Sequence, residues 1–347
     1  MRAKFESFLM RAWMRRGWFA RFMWPIAAIF NILVNFRFAL FLMGYKKSTR
    51  LPVPVIIVGN IFVGGTGKTP LVIWLAQQFS QAGWHPGVIS RGYGAAEHVL
   101  EVTSAALAME VGDEPLLIAT KTGCPVFVGR DRVSAAQALL ARHPQVNVLI
   151  SDDGLQHYAL QRDIEIVLFD QRGVGNGWTL PAGPLRETAV RRRDFTVLNA
   201  GLNCAPPGVA DDAIRMQLQL KTPYSLREPE QTMAPQLMQG KHILAVAGIG
   251  NPERFFTSLR NEGLQFASQA LDDHHEFSAR SFDDSNAELI LMTEKDAVKC
   301  VQIDVLKNDA RIWVVPVQAQ LESDFFARIL AKLIDKKVEK EHGSTTA

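Results

Sequence analysis

Residues 53–69 read VPVIIVGNIFVGGTGKT, and this stretch decides the fold. Val53–Val58 is a short apolar run rich in β-branched residues, the class that suits a strand buried on both faces. A glycine-rich turn follows. Lys68 and Thr69 then open a segment with apolar residues at 71, 72, 74, 75, 76 and 79, which stops at Gly83 as a helix would. A strand running through a glycine turn into Gly-Lys-Thr at a helix start is the arrangement of a phosphate-gripping loop. Glycines let backbone N–H groups converge on phosphate oxygens, and the helix start adds partial positive charge. The nucleotide site is therefore expected over Phe62, Val63, Gly64, Gly65, Thr66, Gly67, Lys68 and Thr69. Lys68 is expected to reach the β- and γ-phosphates of a nucleoside triphosphate, and the Thr69 hydroxyl to ligate Mg²⁺. The spacing is a variant: the strict pattern wants glycine at position 62, where Phe62 stands between Gly59 and Gly64.

Outward from the loop, the strands predicted next are 125–128, 146–150, 164–169 and 195–198, with a helix over 131–142. Buried strands alternating with helices imply a parallel sheet covered on both faces. The strand ending at Ile150 delivers Asp152 and Asp153 to the carboxyl edge of that sheet, where α/β ligands bind. A phosphate loop needs such an acid beside its metal; paired acids at strand ends also serve as turn or cap residues. Pro206, Pro207, Pro223, Pro229 and Pro235 break up residues 201–240, and a second alternating unit follows: strands over 243–247, 289–292 and 312–315, helices over 253–262 and 322–334. The expected fold is α/β. A P-loop core with a mostly parallel sheet spans 51–225 and a smaller C-terminal α/β domain spans 226–335. The N-terminal membrane-associating segment is 1–50, and 336–347 is a frayed tail.

The net charge of +3 hides an asymmetry: residues 1–50 carry ten Lys or Arg against Glu6, so that end is +9 and the remainder −6. An anionic partner is implied for that end alone. Residues 22–44 read FMWPIAAIFNILVNFRFALFLMG, with Trp13, Trp18 and Trp24 among arginines beside them. So much aliphatic surface is more than a nucleic-acid arm needs; tryptophan and arginine flanking an apolar run suit an anionic lipid surface. The run is long enough to span, but Pro25, Asn31, Asn35 and Arg37 favour a helix lying in or dipping into the bilayer. An amphipathic helix packed on its own protein is the alternative. Cys124, Cys204 and Cys300 stand singly, without a zinc-type pair, and read as reduced cytosolic thiols. No nucleic acid and no obligate protein partner is inferred.

Polar clusters fall where loops at the same sheet edge belong: SRGYG at 90–94, GDEP at 112–115, DDGLQH at 152–157, AGPLRE at 182–187 and DDHH at 272–275, with TEKDAVK at 293–299 read as a structural strand end and helix start. Together with VGNIFVGGTGKTP, in this order over roughly residues 5–330, they resemble the tetraacyldisaccharide 4′-kinase family, the lipid A 4′-kinases. The resemblance implies transfer of the ATP γ-phosphate to the 4′-hydroxyl of a tetraacylated disaccharide 1-phosphate, giving lipid IVA in lipid A biosynthesis, at the cytoplasmic face of the inner membrane. It implies Asp113 as general base partnered by His274, although His275 could fill that place. It further implies Glu114 and Asp152 near Mg²⁺, and Arg91, Tyr93, Gln156, His157 and Arg186 on the disaccharide, with Asp153 on sugar or metal. A membrane-tethered nucleotide switch acting on a protein is the competing expectation; it has no need of the Arg91, Tyr93, Gln156, His157 and Arg186 set. No N-K-x-D guanine motif is present.

Overall fold

The computed structural model describes residues 2–92, 98–201 and 204–343. In chain order the strands are β1 (Val55–Gly59), β2 (Pro86–Ser90), β3 (Leu100–Glu101), β4 (Val126–Val128), β5 (Val148–Asp152), β6 (Ile164–Asp170), β7 (Phe195–Asn199), β8 (Ile214–Leu220), β9 (Tyr224–Ser225), β10 (Ile243–Ala247), β11 (Ala267–Ala270), β12 (Leu289–Thr293), β13 (Ile312–Val315) and β14 (Val317–Leu321).

Nine form a large sheet ordered β14-β8-β7-β6-β1-β5-β2-β4-β3, and five a smaller one ordered β11-β10-β12-β13-β9. The expected α/β class with mostly parallel sheets is what the chain adopts: the central pairs β1–β5, β1–β6, β2–β5 and β6–β7 are all parallel, as are β10–β12 and β12–β13. β1 sits mid-sheet and every one of its five residues is buried, which is why its sequence is a continuous apolar run rather than an alternation. Helix Lys68–Gln81 covers one face through Leu71, Val72, Leu75, Ala76 and Phe79. Helix Arg132–Arg142 covers the other through Ala135, Ala136 and Leu139.

The expected grouping of 226–335 as one smaller unit differs from the observed strand pairing. β9, before that stretch, joins the small sheet, while β14 and helix Phe325–Gly343 return to the large one. β14 pairs antiparallel with β8, and Phe325, Ile329 and Leu333 bury in the large-sheet core, with Phe325 stacked on Trp74 at 5.8 Å. The chain thus crosses between the sheets twice, and the crossings touch: Lys221 N donates to Pro316 O at 2.9 Å. The two sheets also meet at Gly250, whose added Cβ would lie 3.0 Å from Gly65 N.

Helix Trp18–Leu42 continues through Pro25 and is long and apolar enough to cross a membrane by length and composition. Trp18, Phe22, Ile29, Leu33 and Phe36 project from it 59–77% exposed, while Ala20 and Ala27 are buried against the body. Helix Arg2–Trp13 anchors its base: Trp13 Nε1 donates to Pro181 O at 2.9 Å, and Asn176 N to Trp13 O at 2.8 Å.

Candidate active site

The loop between β1 and helix Lys68–Gln81 is wired from within. Asn60 Nδ2 donates to the carbonyls of Phe62 and Gly64, and Lys68 Nζ donates to Asn60 Oδ1 at 2.8 Å. Gly64 (φ 101°) and Gly67 (φ 97°) take left-handed conformations that a side chain would strain, and a Cβ on Gly67 would collide with Asn199 Nδ2. Phe62 explains the variant spacing. Its side chain is 1% exposed, its backbone bridges to Leu185, and the Arg172 guanidinium lies 4.3 Å over its ring. Glycine is not required where the chain is pinned by an anchor rather than bent around a phosphate, so only the backbone of Phe62 faces the loop. Gly65 to Thr69 line a cavity of about 200 Å³ with Glu114, Asp170, Asp273 and Lys295. Its other wall is apolar, with Ile73, Leu117, Leu218, Leu220, Phe255 and Val317.

Asp152 ends β5, fully buried, with Ser90 Oγ donating to its Oδ2 at 3.1 Å and Oδ1 without a hydrogen-bond partner among the described residues. Burial, then the charge of Glu114, push its carboxyl up to about 7, against the pull of Lys68. A buried oxygen that feels the charge of Glu114, which in turn lines the loop cavity with Thr69, offers a donor set that fits a hard divalent cation. Among the described residues no three His, Cys, Asp or Glu gather; Mg²⁺ suits so open a set, since it keeps waters and phosphate oxygens as its remaining ligands.

Raising a buried acid's proton affinity makes the charged form costly to the fold. Between the ordinary carboxylate range and about 7 the folded chain binds the extra proton, so this contribution to stability falls as pH rises and stays lost above it. Asp152→Asn, whose Oδ1 can still accept from Ser90, is expected to raise the melting temperature at pH 8 and to change it much less at pH 5, by scanning calorimetry without nucleotide. The gain at pH 8 is on the order of 4 kcal/mol, about 1.4 kcal/mol for each of the roughly three pH units between the ordinary carboxylate range and about 7, with turnover lost.

Asp113 opens helix Asp113–Thr122 and is 4% exposed. His274 Nδ1 lies 3.0 Å from both its oxygens, across 161 positions of sequence. His275, the other candidate, instead packs edge-on against Phe277. Burial raises the Asp113 carboxyl, but the His274 hydrogen bond, Lys295 and Lys299 more than offset it and hold it below the usual carboxylate range. Asp153 is likewise held low, burial being outweighed by Lys68 at 3.7 Å and Arg186 at 3.0 Å. Asp153 (φ 48°) and His274 (φ 61°) are the described non-glycine residues with left-handed backbones, a strain that clusters at functional sites. Gln156 Nε2 is buried without a partner among the described residues, His157 Nε2 lies 3.4 Å from Asp131 Oδ1, and Arg91 is exposed. Tyr93 lies outside the described residues.

The model of the family described as LpxK, tetraacyldisaccharide-1-P 4′-kinase, matches residues 19–335. The chain belongs to the LpxK family. It is 56% identical to the tetraacyldisaccharide 4′-kinase of Janthinobacterium sp. (strain Marseille) over 97% of its own length and 99% of that protein's. It is 45% identical to that of Methylobacillus flagellatus, covering 95% and 98%. It also resembles a crystal structure of LpxK from Aquifex aeolicus in complex with ATP, at 27% identity and a TM-score of 0.75, over 90% of this chain and 99% of that one.

In this LpxK-family chain the segment read as merely structural, TEKDAVK, reaches the same cluster. Lys295 Nζ donates at 2.9 Å to both Glu114 and Asp273, and Lys299 Nζ sits 3.8 Å from Asp113 and 3.1 Å from Asp296. Four residues apart on one short helix, the two lysines share a face; that spacing was the signal available in the sequence.

Proposed function

We propose that the protein is an ATP-dependent lipid kinase, transferring the γ-phosphate of ATP to the 4′-hydroxyl of tetraacyldisaccharide 1-phosphate. One observation carries the acceptor side: the apolar N-terminal helices rest on the loops that bear the candidate sugar-binding residues. Phe38 lies 5.2 Å from Tyr158, next to Gln156 and His157, and Thr179 Oγ1 donates to Ala27 O in the loop leading to Arg186. A nucleotide switch gives no reason for acyl-compatible surface to border an arginine-bearing pocket.

In this reading the loop amides, Lys68 and Thr69 hold the triphosphate, and Asp113 takes the hydroxyl proton on a carboxylate oxygen as the new P–O bond forms and the bond to the leaving ADP oxygen breaks. His274 donates from Nδ1 and fixes the orientation of that carboxylate. Glu114, Asp152 and Thr69 would hold Mg²⁺, which when bound neutralises charge on the phosphate oxygens. Arg186, Asp153, Gln156, His157 and Arg91 bind the disaccharide, and Tyr93 belongs with them. The small-sheet unit, 224–315, closes on a core of 51–223 and 317–343, and closure excludes water. The exposed face of helix Trp18–Leu42 meets anionic lipid at the cytoplasmic side of the inner membrane.

Incubation with γ-labelled ATP, Mg²⁺, detergent and the lipid disaccharide is expected to label the lipid. Absence of label in lipid, with ATP bound, would leave the acceptor assignment without support.

A further inference from the structure

Arg254 stands in the first turn of helix Pro252–Asn261, on the small-sheet side, and lines the same cavity as Gly65–Thr69. Its guanidinium Nη2 donates to Asn199 Oδ1, and Asn199 Nδ2 donates in turn to the loop carbonyl of Thr66 at 2.7 Å. The helix start is pressed directly on the loop, Gly250 against Gly65, which sets the reach of Arg254. Other cations of the cleft have acids of their own: Lys295 has Glu114 and Asp273, Lys299 has Asp296, Arg186 and Lys68 have Asp153, and Arg172 has Asp170. Arg254 forms no ion pair among the described residues. The acid whose charge reaches it, Asp170, is already gripped through both oxygens by Arg172. Burial correspondingly drives the guanidinium below its ordinary proton affinity.

A largely buried cation without a counter-ion is unfavourable unless an anion arrives. The anion that the adjoining loop is built for is a phosphate chain. We propose that Arg254 is a triphosphate-contacting residue, a cation that the small-sheet unit delivers to the phosphates gripped by Gly64–Thr69. The inference rests on the nucleotide reading above and adds to it a residue from the opposite sheet. A guanidinium fork matches phosphate oxygens, and an arginine brought to a phosphate loop from outside it stabilises charge on the transferring group. Nucleotide binding and approach of the two sheets are thereby coupled, because the contact exists only while Gly250 rests on Gly65.

The test is calorimetric titration of the full chain, Arg254→Gln and Arg254→Lys with AMP, ADP and ATP. Gln retains a donor for Asn199 but carries no charge. ATP affinity is expected to fall at least about tenfold in Arg254→Gln, a loss of roughly 1.4 kcal/mol, with ADP intermediate and AMP nearly unchanged, and with partial recovery in Arg254→Lys. ATP affinity unchanged in Arg254→Gln, or an equal loss for AMP and ATP, would overturn the proposal. If Arg254→Gln does not fold, the charge-retaining Lys variant decides on the same ratio: it must weaken ATP more than AMP. An unsubstituted chain that binds no ATP would remove the nucleotide reading and this inference together. One that binds ATP without phosphorylating the lipid would remove only the acceptor assignment.

Discussion

Asp113→Asn is expected to lower turnover at least about a hundredfold, the scale on which removal of a general base acts, while ATP affinity and the fold survive. The substitution preserves shape, and the amide oxygen can still accept from Glu114 N, as the carboxylate does at 2.8 Å. What disappears is a basic oxygen. The lysines beside it keep other acids, Glu114 and Asp273 for Lys295 and Asp296 for Lys299, so no buried ammonium is stranded and stability should change little. His274→Ala should cost less alone and add almost nothing to Asp113→Asn, because groups acting as one unit are non-additive. Steady-state kinetics of the two single variants and the double variant measure this, and turnover within about twofold of native for Asp113→Asn would take the residue out of the mechanism.

Replacing Phe22, Ile29 and Phe36 together by glutamate is expected to release the protein from anionic vesicles, with apparent partition falling more than about a hundredfold. These three side chains repeat every seven residues on one helix face and are 70%, 60% and 59% exposed. Each is worth about 1.5–3 kcal/mol when taken out of water, and each glutamate adds repulsion from anionic headgroups. ATP binding and melting temperature should move little, because these three side chains are mostly exposed. Deleting the helix is a poorer experiment: Trp13, Ala20 and Ala27 are buried parts of the molecule. Co-sedimentation with vesicles reads the outcome, and unchanged pelleting would place the membrane contact elsewhere.

Much of the core was legible because burial on both faces writes strands as unbroken apolar runs. β1, β5, β6, β7, β10, β12 and β13 all came from that signal. β8 (IRMQLQL) and β14 (VQAQL) did not. They lie at the sheet margin, where one face is wet and the sequence alternates, and the prolines around 206–235 drew attention to breakage instead. β2 escaped because Pro86 and Gly87 open it. At the candidate site, local chemistry pointed to the phosphate loop and to Asp152 and Asp153 at the end of β5. The Asp113–His274 pair came through motif resemblance, since no local pattern links residues so far apart. For Lys295 and Lys299 the four-residue spacing showed only a shared helix face, and nothing local marked Arg254; what lies opposite each is set by the fold.

The returning strand β14 also constrains how the chain is made. Synthesis runs from the N-terminus, so β8 emerges with one ladder of N–H and C=O groups bare, and nothing pairs with it until 317–321 arrive, after the whole small sheet has been made. Arg215, Gln217 and Gln219 alternate along that waiting strand, and polar side chains on an unpaired edge discourage the edge-to-edge association such a template invites. The nascent small sheet can organise early and locally; the sheet that carries the phosphate loop is completed only once β14, made after the whole small sheet, has arrived.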